Sequence, residues 1–219
     1  SFSNWSGQGI TNASAASTTV SMTDTRTVTA TFAPLIHSIS TMVSPNGTGE
    51  VSGAGNYQFG DNLTLTATAT SAGYSFLSWS GDLNSSVNPL AIQVDTNLSL
   101  TANFRLDAYS LELISGAGGT VSGDGNFSHG TQANISATPL IGYSFSGWSG
   151  DGVADPNAAS TSIKMTQPRT ITASFSLNSY PLTVVAGTSG SVSGDGNFSH
   201  GTQANICLLY TSDAADEQF

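Results

Sequence analysis

One string of fifteen residues, VSGDGNFSHGTQANI, occurs twice in the chain, at Val121–Ile135 and at Val192–Ile206. Identity of this length, at an offset of 71 residues, indicates a duplicated folding unit. Other landmarks recur at nearly the same interval, because Trp5, Trp79 and Trp148 each precede a Ser-Gly pair. The chain is therefore predicted to be an array of one small module.

The phenylalanines that close the repeats set the predicted boundaries. Phe32, Phe104 and Phe175 each end a run of alternating Thr and Ala, and two complete units of about 70 residues lie between them. The flanking segments match only half a unit each, so we expect a segment of a longer array. The predicted domains are 1–33 (C-terminal half of a truncated repeat), 34–104 and 105–175 (complete repeats), 176–206 (N-terminal half of a truncated repeat) and 207–219 (non-native tail).

Residues 207–219 are assigned to a non-native tail because the repeat stops abruptly after Ile206. The earlier copy continues as SATPLIGYSFSGW, whereas this copy continues as CLLYTSDAADEQF. The string CLLYTSDAADE resembles the translation of a transposase-based sequencing adapter, so we exclude 207–219 from fold and function. Without its three acids the formal charge changes from −10 to −7, and no cysteine is left.

Charge and composition exclude several kinds of partner. The cations are few and scattered, so they cannot form the basic surface that nucleic-acid binding requires. No apolar run is long enough to span a bilayer and no polybasic segment is present, so no membrane insertion is expected within this segment. Scarce charge and missing cysteine favour an extracellular or cell-surface location, with any signal peptide upstream. The cations are Arg26, Arg105, Lys164 and Arg169.

Alternating apolar and polar residues predict an all-β unit with little or no helix. Strands are expected at Ala108–Ile114 and Thr131–Thr138, and the glycine-rich stretch 116–130 is predicted to form a turn, a short strand and a turn. The unit is predicted to end in a hairpin, with Ser162–Met165 and Arg169–Phe175 as its arms.

Three elements in a fixed order carry a family resemblance. GTVSGDGNFSHG is followed by TQANISATPLIGYSFSGWSGD and then by MTQPRTITASF, and equivalents occur at 49–60, 62–82 and 94–104. This order resembles the divergent internalin B-type B repeat of bacterial exported and surface proteins, over residues 1–206. The resemblance implies all-β, β-grasp-like modules in tandem, as in adhesins, stalks or multidomain secreted proteins. It implies no catalytic residues.

Trp79 and Trp148 are candidate ligand-binding residues, because an exposed indole can stack on a sugar ring. Unbroken alternation would place Phe145 and Trp148 on opposite faces of their strand, so Trp148 reaches the core only through a bulge or twist. In a small module, an indole that removes up to ~250 Å² from water favours the core. We therefore expect a core position.

Asp82 and Asp151, which both follow Trp-Ser-Gly, are the other candidate ligand-binding residues. A calcium site needs about six to eight oxygen ligands, whereas each of these loops supplies one aspartate, and the equivalent position in the first repeat is Gln8. The favoured interpretation is an aspartate that bonds backbone amides in a turn, with weak calcium binding as the alternative.

The histidines form no catalytic set with a nucleophile, a base and an orienting group. His129 and His200 occupy equivalent positions beside a turn, whereas His37 has no evident counterpart. We predict no catalytic residue, no cofactor and no metal site.

The predicted function is a non-enzymatic structural repeat of an exported bacterial surface or secreted protein, acting as a spacer, stalk or adhesin segment. The alternative is a module that binds a glycan or a host protein through its loops, with repetition adding avidity. The linkers 32–38 and 104–110 are short, so neighbouring units are expected to be semi-rigidly related.

Overall fold

The computed structural model describes residues 1–188 and 190–209. These residues form β-strands and contain no helix, which confirms the all-β prediction. Most of the predicted tail, 210–219, lies outside the described residues. The chain divides into two parts between Asp107 and Ala108, and each part contains one complete repeat unit.

The first part contains an antiparallel strand pair followed by the seven strands of a complete unit. Its strands are β1 (Phe2–Ser6), β2 (Thr29–Phe32), β3 (Ile36–Ser44), β4 (Gly49–Ser52), β5 (Gly55–Gln58), β6 (Asn62–Ala69), β7 (Tyr74–Gly81), β8 (Leu90–Gln93) and β9 (Leu98–Leu106).

The second part has the same seven strands followed by four short ones. They are β10 (Ala108–Ser115), β11 (Gly119–Ser122), β12 (Gly125–Ser128), β13 (Gln132–Pro139), β14 (Tyr143–Ser149), β15 (Ser160–Lys164), β16 (Arg169–Leu177), β17 (Ser179–Leu182), β18 (Ser191–Ser193), β19 (Gly196–Ser199) and β20 (Cys207–Leu209).

Each complete unit consists of two sheets. A four-stranded mixed sheet has the order β5-β3-β9-β7 in the first unit and β12-β10-β16-β14 in the second. Its central pair, β3/β9 or β10/β16, is parallel, and both outer pairs are antiparallel. This order corresponds to the mixed sheet of a β-grasp arrangement. The second sheet is antiparallel, with the order β4-β6-β8 or β11-β13-β15.

One apolar core lies between the two sheets of each unit. Alternate residues of each strand point into this core. In β13, for example, Ala133, Ile135 and Ala137 are buried, whereas Gln132 and Asn134 are exposed. The buried core residues are Ile39, Leu63, Leu65, Ala67, Trp79, Ile92, Val94, Leu98, Leu100, Ala102 and Phe104 in the first unit, and Leu111, Ala133, Ile135, Ala137, Trp148, Ile163, Met165, Ile171 and Ala173 in the second.

The predicted terminal hairpin is wrong, because its two arms belong to different sheets. β15 pairs with β13, whereas β16 pairs with β10 and β14. Beyond β15, the backbone N–H of Met165 donates to the carbonyl of Thr131 (2.9 Å), and the N–H of Gly130 donates to the carbonyl of Met165 (2.7 Å). The backbone groups of this arm are therefore already paired, and 166–168 connect one sheet to the other.

The stretch 116–130 also differs from its prediction, since it contains two short strands. β11 joins the three-stranded sheet through β13, and β12 joins the four-stranded sheet through β10. The strands separate at Gly123, whose φ of +110° favours glycine, and a Cβ there would overlap the carbonyl oxygen of Asn134. This glycine allows the chain to pass from one sheet to the other.

The strands of the flanking segments pair like the corresponding half of a complete unit. β1/β2 corresponds to the β7/β9 pair, including a register shift between Phe2 and Asn4. β17/β19 corresponds to β10/β12, and β18/β20 corresponds to β11/β13. Residues 207–209 of the predicted tail thus form a short strand against β18.

We expect Gly123→Ala to destabilise the second unit more than Gly130→Ala. Gly130 also has a positive φ, +82°, but open space surrounds its Cβ position. Gly130→Ala therefore measures only the cost of holding a residue with a side chain in the left-handed region, about 1–2 kcal/mol. Urea unfolding of both variants measures the difference. Equal shifts of the unfolding midpoint would show that the overlap between a Cβ at position 123 and the carbonyl oxygen of Asn134 does not lower stability.

Candidate functional site

The aromatic strand of each unit contains a bulge that brings two rings to the same face. In β14 the register with β16 shifts between Phe145 and Gly147, and β7 shifts against β9 between Phe76 and Ser78. The extra residue cancels one step of alternation, so a phenylalanine and a tryptophan three positions apart both point inward. Trp148 is consequently buried, as predicted for a core residue.

The burial of the two candidate tryptophans is nearly complete. Trp79 is 1% exposed and Trp148 is 6% exposed. Each indole packs against the phenylalanine of its own strand, with ring centroids 5.4 Å apart for Phe76–Trp79 and 5.5 Å apart for Phe145–Trp148. The indole faces are therefore covered by protein and are not available to stack on a sugar ring.

Each indole also holds the loop that follows its strand. Nε1 of Trp79 donates to the carbonyl of Val87 (3.1 Å), and Nε1 of Trp148 donates to the carbonyl of Ala158 (3.0 Å). We call this contact the indole–loop bond. It satisfies the one polar group of a buried tryptophan and fixes the connection to the three-stranded sheet.

The first flanking segment, 1–33, has the same arrangement. Nε1 of Trp5 donates to the carbonyl of Ala15 (3.0 Å), and Phe2 packs between Trp5 and Phe32 at centroid distances of 5.5 and 6.0 Å. Sequence reasoning placed the tryptophans in the core but missed these carbonyl partners. The recurrence of Trp before Ser-Gly was the available signal that a loop begins there.

The two candidate aspartates differ in their contacts. Oδ2 of Asp82 accepts a hydrogen bond from the backbone N–H of Ser99 (2.7 Å), as expected for a turn-forming aspartate. The carboxylate of Asp151 makes no hydrogen bond within the described residues. The Arg169 guanidinium instead donates to the backbone carbonyl of Asp151 (2.7 Å). Both aspartates are exposed, and the structure joins neither to Trp79 or Trp148 in one site.

The acids of the glycine-rich turns, Asp124 and Asp195, are also exposed. Within residues 1–188 and 190–209, no group of three or more His, Cys, Asp and Glu side chains is placed to hold a metal ion. Weak calcium binding, the alternative for Asp82 and Asp151, therefore has no preformed cluster of side-chain ligands in these ranges.

Each histidine packs beside an aromatic ring, and the first unit exchanges the two positions. His37 occupies the β3 position that Tyr109 occupies in β10, and Phe59 occupies the position of His129. The expectation that His37 has no counterpart is wrong, because the position is shared and only the side chain differs. Centroid distances are 6.3 Å for His37–Phe59, 6.0 Å for Tyr109–His129 and 6.1 Å for Tyr180–His200.

Concave surface is found on the outer faces of the three-stranded sheets. A shallow groove of about 470 Å³ lies across β11, β13 and β15, and one of about 330 Å³ lies across β6 and β8. Neither lining includes a titratable side chain. The first is lined by Ser122, Gly123, Asn134, Ile135, Ser136, Ser160, Thr161 and Ser162, and the second by Asn62, Leu63, Thr64, Ala91, Ile92 and Gln93.

Replacing Trp148 by alanine is expected to unfold the second unit. Such a truncation costs about 3–5 kcal/mol, a large fraction of the stability of a small module. Trp148→Phe keeps a ring but loses the indole–loop bond, so we expect a smaller loss and faster hydrogen exchange in the loop 150–159. Urea unfolding and hydrogen exchange provide the measurements.

The matched control is Ile141→Ala, since Ile141 is 90% exposed and a surface substitution changes stability by only about 0.5 kcal/mol. A Trp148→Ala variant that kept the parent unfolding midpoint would contradict the core role, and loss of glycan binding in that folded variant would indicate a ligand site.

A search of the described residues for helices that could span a bilayer finds none.

Comparison with known proteins assigns the chain to a family. No curated protein and no solved structure matches the chain. The family described as the divergent InlB B-repeat domain matches four consecutive segments, 1–35, 39–108, 109–179 and 180–208. Since these segments cover nearly the whole sequence, the chain belongs to the divergent InlB B-repeat domain family.

Proposed function

We propose that this repeat array is a non-enzymatic spacer or stalk segment of an exported bacterial surface protein, where it displays other domains or forms part of an adhesin. The observation that carries the proposal is the position of the recurring tryptophans. Trp79 and Trp148 fill the core of their own unit, and all three tryptophans hold the loop that follows them, so the features repeated along the array maintain the module. Repetition then provides length.

Hydrogen bonds of Asn178 support a semi-rigid connection between the second complete unit and the segment that follows it. The N–H of Asn178 donates to the carbonyl of Gly142 (2.8 Å), and the Ser144 hydroxyl donates to Oδ1 of Asn178 (2.6 Å). The backbone N–H of His200, in the flanking segment 176–209, donates to the carbonyl of Asn178 (2.8 Å). Asn178 thereby links two consecutive repeats.

The first complete unit has equivalent bonds at its end. The N–H of Asp107 donates to the carbonyl of Gly73 (2.7 Å), and the Ser75 hydroxyl donates to Oδ1 of Asp107 (2.6 Å). The residue that follows each four-stranded sheet is thus fixed in the same way in both units. Such fixed linkers favour a long spacer, because a flexible linker with the same number of residues has a shorter average end-to-end distance.

The alternative function, recognition of a glycan or a host protein, would depend on loops and on avidity. Burial of Trp79 and Trp148 argues against a stacking site at these residues. A glycan array probed with the intact chain separates the two functions, since specific binding would favour the alternative.

Rigidity of the connection is testable through Gly142. A Cβ at Gly142 would overlap the His200 imidazole, whereas Gly130 has nearly the same φ (+83° against +82°) and open space. We expect Gly142→Ala to loosen the packing of the flanking segment 176–209 against the second unit, and Gly130→Ala to leave that packing unchanged. Spin labels are attached at Lys164→Cys and Asp195→Cys, in a chain whose own cysteine is removed by Cys207→Ser. Electron–electron double resonance then measures the distribution of distances between the two labels.

The expected result is a narrow distance distribution in the parent and in Gly130→Ala, and a broad one in Gly142→Ala. A broad distribution in the parent would contradict the semi-rigid spacer.

A further inference from the structure

Four segments of the chain share the pattern Asp-x-Asn-x-Ser. An asparagine two positions before Ser or Thr, with any residue but proline between, is the acceptor of N-linked glycans. Each of the four also carries a carboxylate two positions before the asparagine. The segments are DLNSS (82–86), DTNLS (95–99), DGNFS (124–128) and DGNFS (195–199).

Three of the four asparagines present a free side chain at the surface. Asn84, Asn126 and Asn197 are exposed, and their side-chain amides make no hydrogen bond within the described residues. Asn97 differs, because its Oδ1 accepts a hydrogen bond from the N–H of Ser38 (2.8 Å) and its neighbour Leu98 is buried. The Asn97 side chain thus holds β3 beside β9.

The strand geometry places the acceptor groups together. In β12, Phe127 is half-buried, so Asn126 and Ser128 on either side of it both point outward. β19 repeats this arrangement with Asn197 and Ser199. Asn84 lies in the loop between β7 and β8, where Asp82 and Ser86 are also exposed. Acid, amide and hydroxyl are therefore accessible to one enzyme site in each segment.

We propose that Asn84, Asn126 and Asn197 are attachment sites for N-linked glycans. The donor is a lipid-pyrophosphate-linked oligosaccharide. Nδ2 of the asparagine forms a bond to C1 of the first sugar, the bond from C1 to the pyrophosphate oxygen breaks, and the lipid pyrophosphate leaves with the electron pair. One amide proton passes to a base of the transferase. The preceding carboxylate can pair with an arginine of that enzyme.

In the cell this modification depends on the proposed export, because lipid-linked donors are used where exported chains emerge. The in vitro reaction does not depend on it. The distance measurement on Gly142→Ala and the transfer reaction can therefore fail independently.

A glycan at Asn126 would also protect an exposed strand edge. β12 lies at the end of the order β12-β10-β16-β14, so one side of it has no partner strand within the sheet. Unpaired edges promote pairing between copies of a protein, and natural sheets block them with charge or bulk. Charged residues make up only 8% of this chain, so a hydrophilic glycan supplies the bulk and hydration that charge does not.

The first unit contains a natural control. Its counterpart of DGNFS is AGNYQ, in which Asn56 is exposed on β5 but lacks both the acid at Ala54 and the hydroxyl at Gln58. Asn56 therefore has the same position in the fold without the acceptor pattern. The double variant Ala54→Asp with Gln58→Ser creates the pattern there.

The test incubates the folded chain with a bacterial oligosaccharyltransferase and a lipid-pyrophosphate-linked oligosaccharide, followed by peptide mass spectrometry. We expect the mass of one glycan at Asn84, Asn126 and Asn197, and none at Asn56. Ser86→Ala, Ser128→Ala and Ser199→Ala should each lose the glycan at their own site alone. The double variant at Ala54 and Gln58 should gain a glycan at Asn56.

Absence of transfer to all three asparagines, while a short peptide containing SGDGNFSHG is modified by the same enzyme, would overturn the proposal. So would a glycan on Asn56 of the parent chain, or one on Asn126 that persists in Ser128→Ala. Circular dichroism of each variant verifies that the fold is retained.

Discussion

The hydrogen bond from each tryptophan Nε1 to its loop depends on one extra residue in the strand that carries the tryptophan. Without the bulge between Phe145 and Gly147, alternation would turn Trp148 towards solvent while Phe145 remained inside. With the bulge, both rings enter the core and Nε1 reaches Ala158. Core packing, the position of the following loop and the return of the chain to the three-stranded sheet at β15 all follow from this local change of register.

The parallel pair at the centre of the mixed sheet joins the two ends of a unit. Leu111 in β10 lies opposite Arg169 in β16, and all strands of the three-stranded sheet lie between them in sequence. The flanking segments 1–33 and 176–209 each contain the strands of one end of a unit, and within the described residues their strands form two-stranded sheets. Such pairs are marginally stable alone, so the contacts of Asn178 with its preceding unit also support the flanking segment 176–209.

The sequence predicted the strands well because alternation is a local property that burial on one face imposes. It predicted strand partners poorly, since the arms around Thr-Gln-Pro have the pattern of a hairpin and only the pairing of β15 with β13 shows that they separate. The core position of Trp148 could be inferred from its size. Its acceptor at Ala158 could not, because that loop has no repeating pattern that predicts which carbonyl approaches the indole.

The indole–loop bond reaches forward by eight residues from Trp79 but by ten from Trp5 and Trp148. In the two complete units, a donor fixed in the core thus accepts loops of unequal length, and both loops lead to the three-stranded sheet. Changes in length between the tryptophan and its acceptor are absorbed outside the packed interior. Each module therefore has a place where peptide can be inserted or exchanged while the core is preserved, and an array can acquire new surface chemistry there without a new fold.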